Sequence, residues 1–156
     1  MLSTTDFKTA VQLLPLVSID FLVVNELGQL LVGRRRNPPA KDSWFVPGGR
    51  IRKAELLDEA FLRLTHAELG TAFARSASHA HGLYDHVYAE DFTGSEVDGG
   101  THYVVLAHRL DVRAAELSLP DAQHNAYRWI SAEEALADAL VHANTRAYFP
   151  LNRVAG

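Results

Sequence analysis

Five residues between Gly49 and Gly70 keep a spacing that an ordinary amphipathic helix does not require: Gly49, Glu55, Arg63, Glu68 and Gly70, or G-x5-E-x7-R-x4-E-x-G. The Gly48-Gly49 pair has no Cβ to block a ligand, so backbone amides and carbonyls can come close to one. Arginines flank this stretch. Arg34, Arg35 and Arg36 arrive together and Arg50 follows the glycines, and guanidinium forks suit phosphate oxygens. Asp20 stands in the middle of an apolar run, LVSIDFLVV, where an ionised carboxylate is costly unless it is paired, hydrogen-bonded or facing a cavity. Gln123-His124 lies in an acidic connection, and a histidine of ordinary pKa can take a proton from water at neutral pH. Each of these residues alone has an ordinary reading: Glu68 as a surface acid, Gln123-His124 as an exposed polar pair, the arginines as surface cations.

The spacing resembles the Nudix box of nucleoside-diphosphate-linked hydrolases, G-x5-E-x7-R-E-U-x-E-E-x-G-U, with departures. Leu64 stands where the first Glu of the R-E pair belongs, Ala67 replaces the second, Thr65 and Thr71 replace apolar positions, and of the clustered carboxylates only Glu68 is left. The altered box, R-L-T-x-A-E-L-G, resembles the GDP-mannose mannosyl hydrolase branch, from about Phe7 to Phe149. The resemblance implies an α/β/α sandwich with a mixed central sheet and one Mg²⁺ per subunit, with Mn²⁺ as a substitute. Its ligands would be the Gly48 carbonyl, Glu68 and Gln123, a set of oxygen donors suited to a hard ion. It also implies His124 as general base, Arg35 and Arg50 on the diphosphate, and His86 and Tyr103 near the ligand, with Asp20 a further candidate for catalysis and substrate binding. The reaction implied is release of GDP from a GDP-sugar, GDP-mannose first, by water attack at the anomeric carbon with inversion. Two alternatives stand beside it: cleavage of the diphosphate at phosphorus, and a nucleotide-sugar-binding module without turnover. Arg63 pairs with Glu59 or Glu55 on this reading. Asp20 either pairs with an arginine or meets sugar hydroxyls.

The elements that must position these residues can be read along the chain. Ser3 or Thr4 caps a helix through Leu14, with Phe7, Val11 and Leu14 on one face. Leu16 to Val24 is a strand, Asn25 to Gly28 a turn, Gln29 to Arg34 the returning strand, and Trp44 to Val46 a short strand. A helix follows the Pro47-Gly48-Gly49 turn, with Leu57, Ala60, Phe61, Leu64 and Leu69 as its apolar stripe and Gly70 as its stop. His79 to Ala89 and Thr101 to Val112 read as strands around an exposed loop from Glu90 to Gly100. Tyr127 to Ile130 is a last strand, Ser131 caps a helix to about Leu140, and Asn144 to Leu151 forms a closing helical turn or two.

Length and composition agree with one domain spanning 1–156. The 156 residues are 47% hydrophobic, enough for a core. A net charge of -4 argues against nucleic acid as a partner. With no cysteine there is neither disulfide nor thiolate metal site. The expectation is a cytoplasmic protein without a leader or membrane segment. The resemblance and the amphipathic first helix suggest a homodimer.

Overall fold

The apolar run after Pro15 is a strand buried along most of its length, because layers cover both faces of the sheet it sits in. The structure is a computed structural model describing residues 1–120 and 124–152, with residues 124 and 125 in backbone only. Its strands are β1 (Leu16–Val24), β2 (Leu30–Arg35), β3 (Trp44–Phe45), β4 (Gly48–Arg50), β5 (His79–Glu90), β6 (Glu96–Asp111) and β7 (His124–Ile130). The helices are α1 (Thr4–Leu13), α2 (Leu57–Leu69), α3 (Ala132–Ala137) and α4 (Ala143–Arg146).

Strand β1 is the centre of a mixed sheet ordered β3-β2-β1-β6-β5, with β4 added to β1 and β7 to β2. It runs parallel to β6 and antiparallel to β4 and β2. The period of two along β1 divides its side chains between the two layers. Ile19, Phe21 and Val23 pack with Ala60, Phe61, Leu64 and Leu69 of α2. Leu22, on the other side, packs with Val32, Phe45, Ala107, Ala135 of α3 and Tyr148 beyond α4. Asp20 is in phase with Leu22, so it projects into the layer of α3 and α4. The expected α/β/α arrangement around a mixed sheet is the one observed.

Helix α1 is capped by Ser3, whose Oγ accepts from the Asp6 amide at 3.1 Å. It buries Val11 but leaves Leu14 exposed, so the expected apolar face is narrower than its spacing suggests.

Elsewhere several boundaries differ. The glycines do not sit in a turn opening the helix. Gly48 and Gly49 form β4, and α2 starts only at Leu57, itself 41% exposed. The reason is steric: a Cβ on Gly48 would lie 2.5 Å from Asp20 Oδ1 and one on Gly49 2.4 Å from Leu64 Cδ2. The glycines let a strand press against β1 and α2. The loop expected from Glu90 to Gly100 is mostly strand. Gly99 and Gly100, both at positive φ, carry β6 through a bulge opposite Tyr88, where any Cβ on Gly100 would meet the Tyr88 carbonyl. Strand β7 begins at His124 instead of Tyr127, and α3 stops at Asp138, whose carboxylate takes the Leu140 amide and Arg128.

Candidate active site

The box has a rigid base. Glu55 accepts two hydrogen bonds from Arg63, from Nε at 2.5 Å and Nη2 at 2.8 Å, and a third from the Arg52 amide at 2.9 Å. Arg63 Nη2 also donates to the Arg50 carbonyl at 3.0 Å, so the end of β4 is tied to α2. Of the two partners expected for Arg63, Glu55 is the one found. Hydrogen bonds from Arg63 hold the Glu55 carboxyl well below its ordinary range, at about 2. Glu68 follows Ala60-Phe61 and Leu64-Thr65 at the helical period, and with 3% exposure it belongs to the buried stripe and not to the solvated side.

Beside β4 opens a cavity of about 170 Å³. Asp20, Arg35, Gly48, Arg50, His86 and Tyr103 all line it, together with Phe45 and Tyr88. These residues come from β1 through β6, so the sheet brings together six positions that the sequence singled out. Arg35, at the end of β2, stacks its guanidinium over Phe45 at 5.6 Å. Its charge also reaches Asp20, Tyr88 and Tyr103. Arg34 and Arg36 are exposed, and Arg34 faces Asp42 at 3.9 Å. Arg50 stacks over Phe7 of α1 at 4.0 Å, and Phe7 in turn packs on Phe92 at 4.8 Å.

Asp20 has a tyrosine as its hydrogen-bond partner, while Arg35 acts on it through charge. Tyr148 donates its hydroxyl to Asp20 Oδ2 at 2.6 Å and lies 3.4 Å from His86 Nε2. Burial pushes the Asp20 carboxyl up to about 7; the Tyr148 hydrogen bond and Arg35 oppose the rise and the Glu68 charge adds to it. Burial, then the charge of His142, pushes His86 down to about 4, which leaves a neutral imidazole at pH 7. Nothing in the sequence distinguishes Tyr148, which is 128 residues from Asp20. Phe45 and Tyr88 are equally silent there, reading as ordinary strand aromatics.

Gln123 lies outside the described residues, as does the side chain of His124. The His124 backbone pairs with that of Arg35, which puts the start of β7 beside the arginine at the cavity wall.

The donor chemistry fits a divalent ion. Glu68 and Asp20 are both buried and close enough for one charge to be felt by the other, a repulsion that a cation would relieve. Gly48 pairs with Asp20 across β1 and β4 and lines the same cavity. Among the described residues there is no group of three or more His, Asp or Glu side chains that could hold an ion.

A sequence model described as NUDIX domain matches residues 14–151. The chain belongs to the NUDIX family, the class of hydrolase whose box it carries in altered form. It is 34% identical over 122 residues to the low-salt glycan biosynthesis protein Agl8 of Haloferax volcanii, covering 77% of this chain and 73% of that one. Among solved structures it resembles the MutT protein of Methanosarcina mazei, with TM-score 0.69, 24% identity and coverage of 86% of this chain and 91% of that one. It also resembles the NUDIX domain of Shewanella oneidensis NrtR complexed with ADP ribose, with TM-score 0.63, 13% identity and coverage of 94% and 96%. At these identities the structural likeness is one of fold. No helix among the described residues is long and apolar enough to cross a membrane.

Proposed function

We propose that this chain hydrolyses a GDP-sugar, GDP-mannose first, to GDP and free sugar by water attack at the sugar's anomeric carbon. The observation that carries the reading is the shared cavity, which Arg35, Arg50, Asp20, His86 and Tyr103 line together with Gly48 and Gly49 of the box; Glu68 is not among its lining residues, but its charge is felt at Asp20. The name of the Haloferax volcanii relative, which ties that protein to glycan biosynthesis, agrees with a sugar-bearing substrate.

Glu68, the Gly48 carbonyl and Gln123 would hold one Mg²⁺, or Mn²⁺ in its place. When bound, the ion offsets charge on the diphosphate and makes GDP a better leaving group. Arg35 and Arg50 neutralise the same oxygens as charge develops there. His124 takes the proton of the attacking water. The water oxygen bonds to C1, the C1–O bond breaks, and GDP departs with the electron pair, inverting the anomeric centre. No general acid is needed for such a leaving group, unlike the two-carboxylate glycosidases.

Hydrolysis in ¹⁸O-water is the test. Label in the sugar supports C–O cleavage, and label in the phosphate overturns it. Label in phosphate would favour the second reading, attack at phosphorus with release of GMP and a sugar phosphate, which membership of the NUDIX family supports. His124→Gln is expected to lower kcat by about 10²–10⁴-fold with folding intact. Turnover near wild type would remove His124 from its role.

A further inference from the structure

Tyr148 is 1% exposed and does not line the cavity, yet its hydroxyl lies between two groups that do. Asp20 and His86 stand on strands separated by β6, and one phenol oxygen spans the gap, at 2.6 Å from Asp20 Oδ2 and 3.4 Å from His86 Nε2. The phenol is itself fixed. Its ring meets Tyr84 edge-on at 4.7 Å, and its backbone carbonyl lies 2.8 Å from Nε2 of the buried His81. Burial, and then the neighbouring Asp20 charge, push the phenol far above its ordinary pKa, so it stays a donor at every working pH. With Oδ2 committed to Tyr148 and Oδ1 against Gly48, the carboxylate has one orientation in which to meet a ligand.

We propose that Tyr148 is a positioning residue for sugar recognition: it fixes Asp20 and His86 so that a carboxyl group and an imidazole face the hexose hydroxyls together. The proposal rests on the reading of the cavity as a GDP-sugar site, with Arg35 and Arg50 serving the diphosphate. A fixed acceptor and donor pair discriminates between hydroxyl configurations far better than two mobile groups, because the wrong epimer leaves buried polar atoms unpaired. Tyr148 therefore acts on the sugar end of the substrate and not on the nucleotide end.

The test is Tyr148→Phe, which keeps the ring and removes the hydroxyl. Expected is a fall of about 10- to 100-fold in kcat/KM for the GDP-sugar. The preference between GDP-mannose and its C2 epimer GDP-glucose should narrow, while inhibition by GDP, which has no sugar, changes less than about twofold. With Asp20→Ala, which removes the acceptor, the two losses should fall short of additive in the double variant, since Tyr148 works in part through Asp20. Unchanged sugar preference, or a loss shared equally by GDP, overturns the proposal while leaving the GDP-sugar reading in place. A wild-type protein that neither binds nor turns over GDP-sugars overturns that reading, and the proposal with it. If Tyr148→Phe does not fold, a wild-type structure with a GDP-sugar decides: hexose hydroxyls on Asp20 and His86 with the Tyr148 bond intact support the proposal, and Asp20 turned away from the sugar ends it.

Discussion

Glu55 and Asp20 are two carboxylates on either side of β4, and the fold gives them opposite states. Glu55 meets a guanidinium in two hydrogen bonds and is held at about 2. Asp20 meets a phenol, loses its water to burial and is pushed up to about 7. The partner decides the first and desolvation the second. A charged partner makes an acid into a fastening, present at any pH where the protein works. A neutral one leaves the acid costly in the folded chain without ligand, a pattern found where binding groups are kept poised at the expense of stability.

A third acid, introduced where neither partner exists, should show the largest effect. Leu64→Glu would restore one carboxylate of the Nudix box, but Leu64 is 4% exposed among Ile19, Phe21 and Phe61. In metal-free buffer a loss on the order of 3 kcal/mol is expected in urea unfolding. If Mg²⁺ restored that stability, position 64 would face an ion, and the carboxylate-poor picture of the site would fall.

Asp20→Asn tests the poised acid directly. Its folded pKa is raised, so its contribution is complete below the ordinary value of 3.8 and is lost as pH rises through about 7. Metal-free wild type should therefore lose stability across that window, on the order of 3 kcal/mol. The Asn variant, which can still accept from Tyr148, should not. A variant no more stable than wild type at pH 8 would mean that Asp20 is not held at a cost.

Glu55→Gln is the mirror experiment with a smaller amplitude. Here the folded pKa is depressed, so stability is present above the ordinary 4.5 and lost as pH falls through about 2. Loss of the charged hydrogen bonds is expected to cost about 1–2 kcal/mol at neutral pH, with the gap to wild type closing in acid. A gap independent of pH would assign the effect to shape and not to charge.

These two acids also mark what the chain discloses about itself. Strand β1 is legible because an apolar run of nine residues bounded by Pro15 and a turn has few other uses. The α2 stripe is legible from its period, and Glu68 is found because the box spacing singles it out. Arg35 over its neighbours also follows from the matched pattern. The glycines were visible as a place of close approach, but whether the approach belongs to a turn or a strand depends on what presses against them, here Asp20 and Leu64. Tyr148 was not visible at all, since its partnership with Asp20 is made only when the segment after α4 folds back onto β1 and β5. Local pattern carries elements and motif positions; contacts between distant segments arise from packing.

Arg50 offers the finest cut between the two regions. Its backbone belongs to the Glu55 fastening, through the hydrogen bond from Arg63 to its carbonyl, while its guanidinium stacks on Phe7 of α1. Phe7→Leu keeps an apolar side chain there but removes the ring face, worth about 0.5–1 kcal/mol to a stacked cation. The corresponding change is a rise of about two- to fivefold in the inhibition constant of GDP, with unfolding little affected. If Glu55→Gln weakens GDP by a separate route, through the backbone of β4, the two changes should add in the double variant. A double variant no weaker than either single one would mean that α1 and the box brace act on Arg50 as one unit.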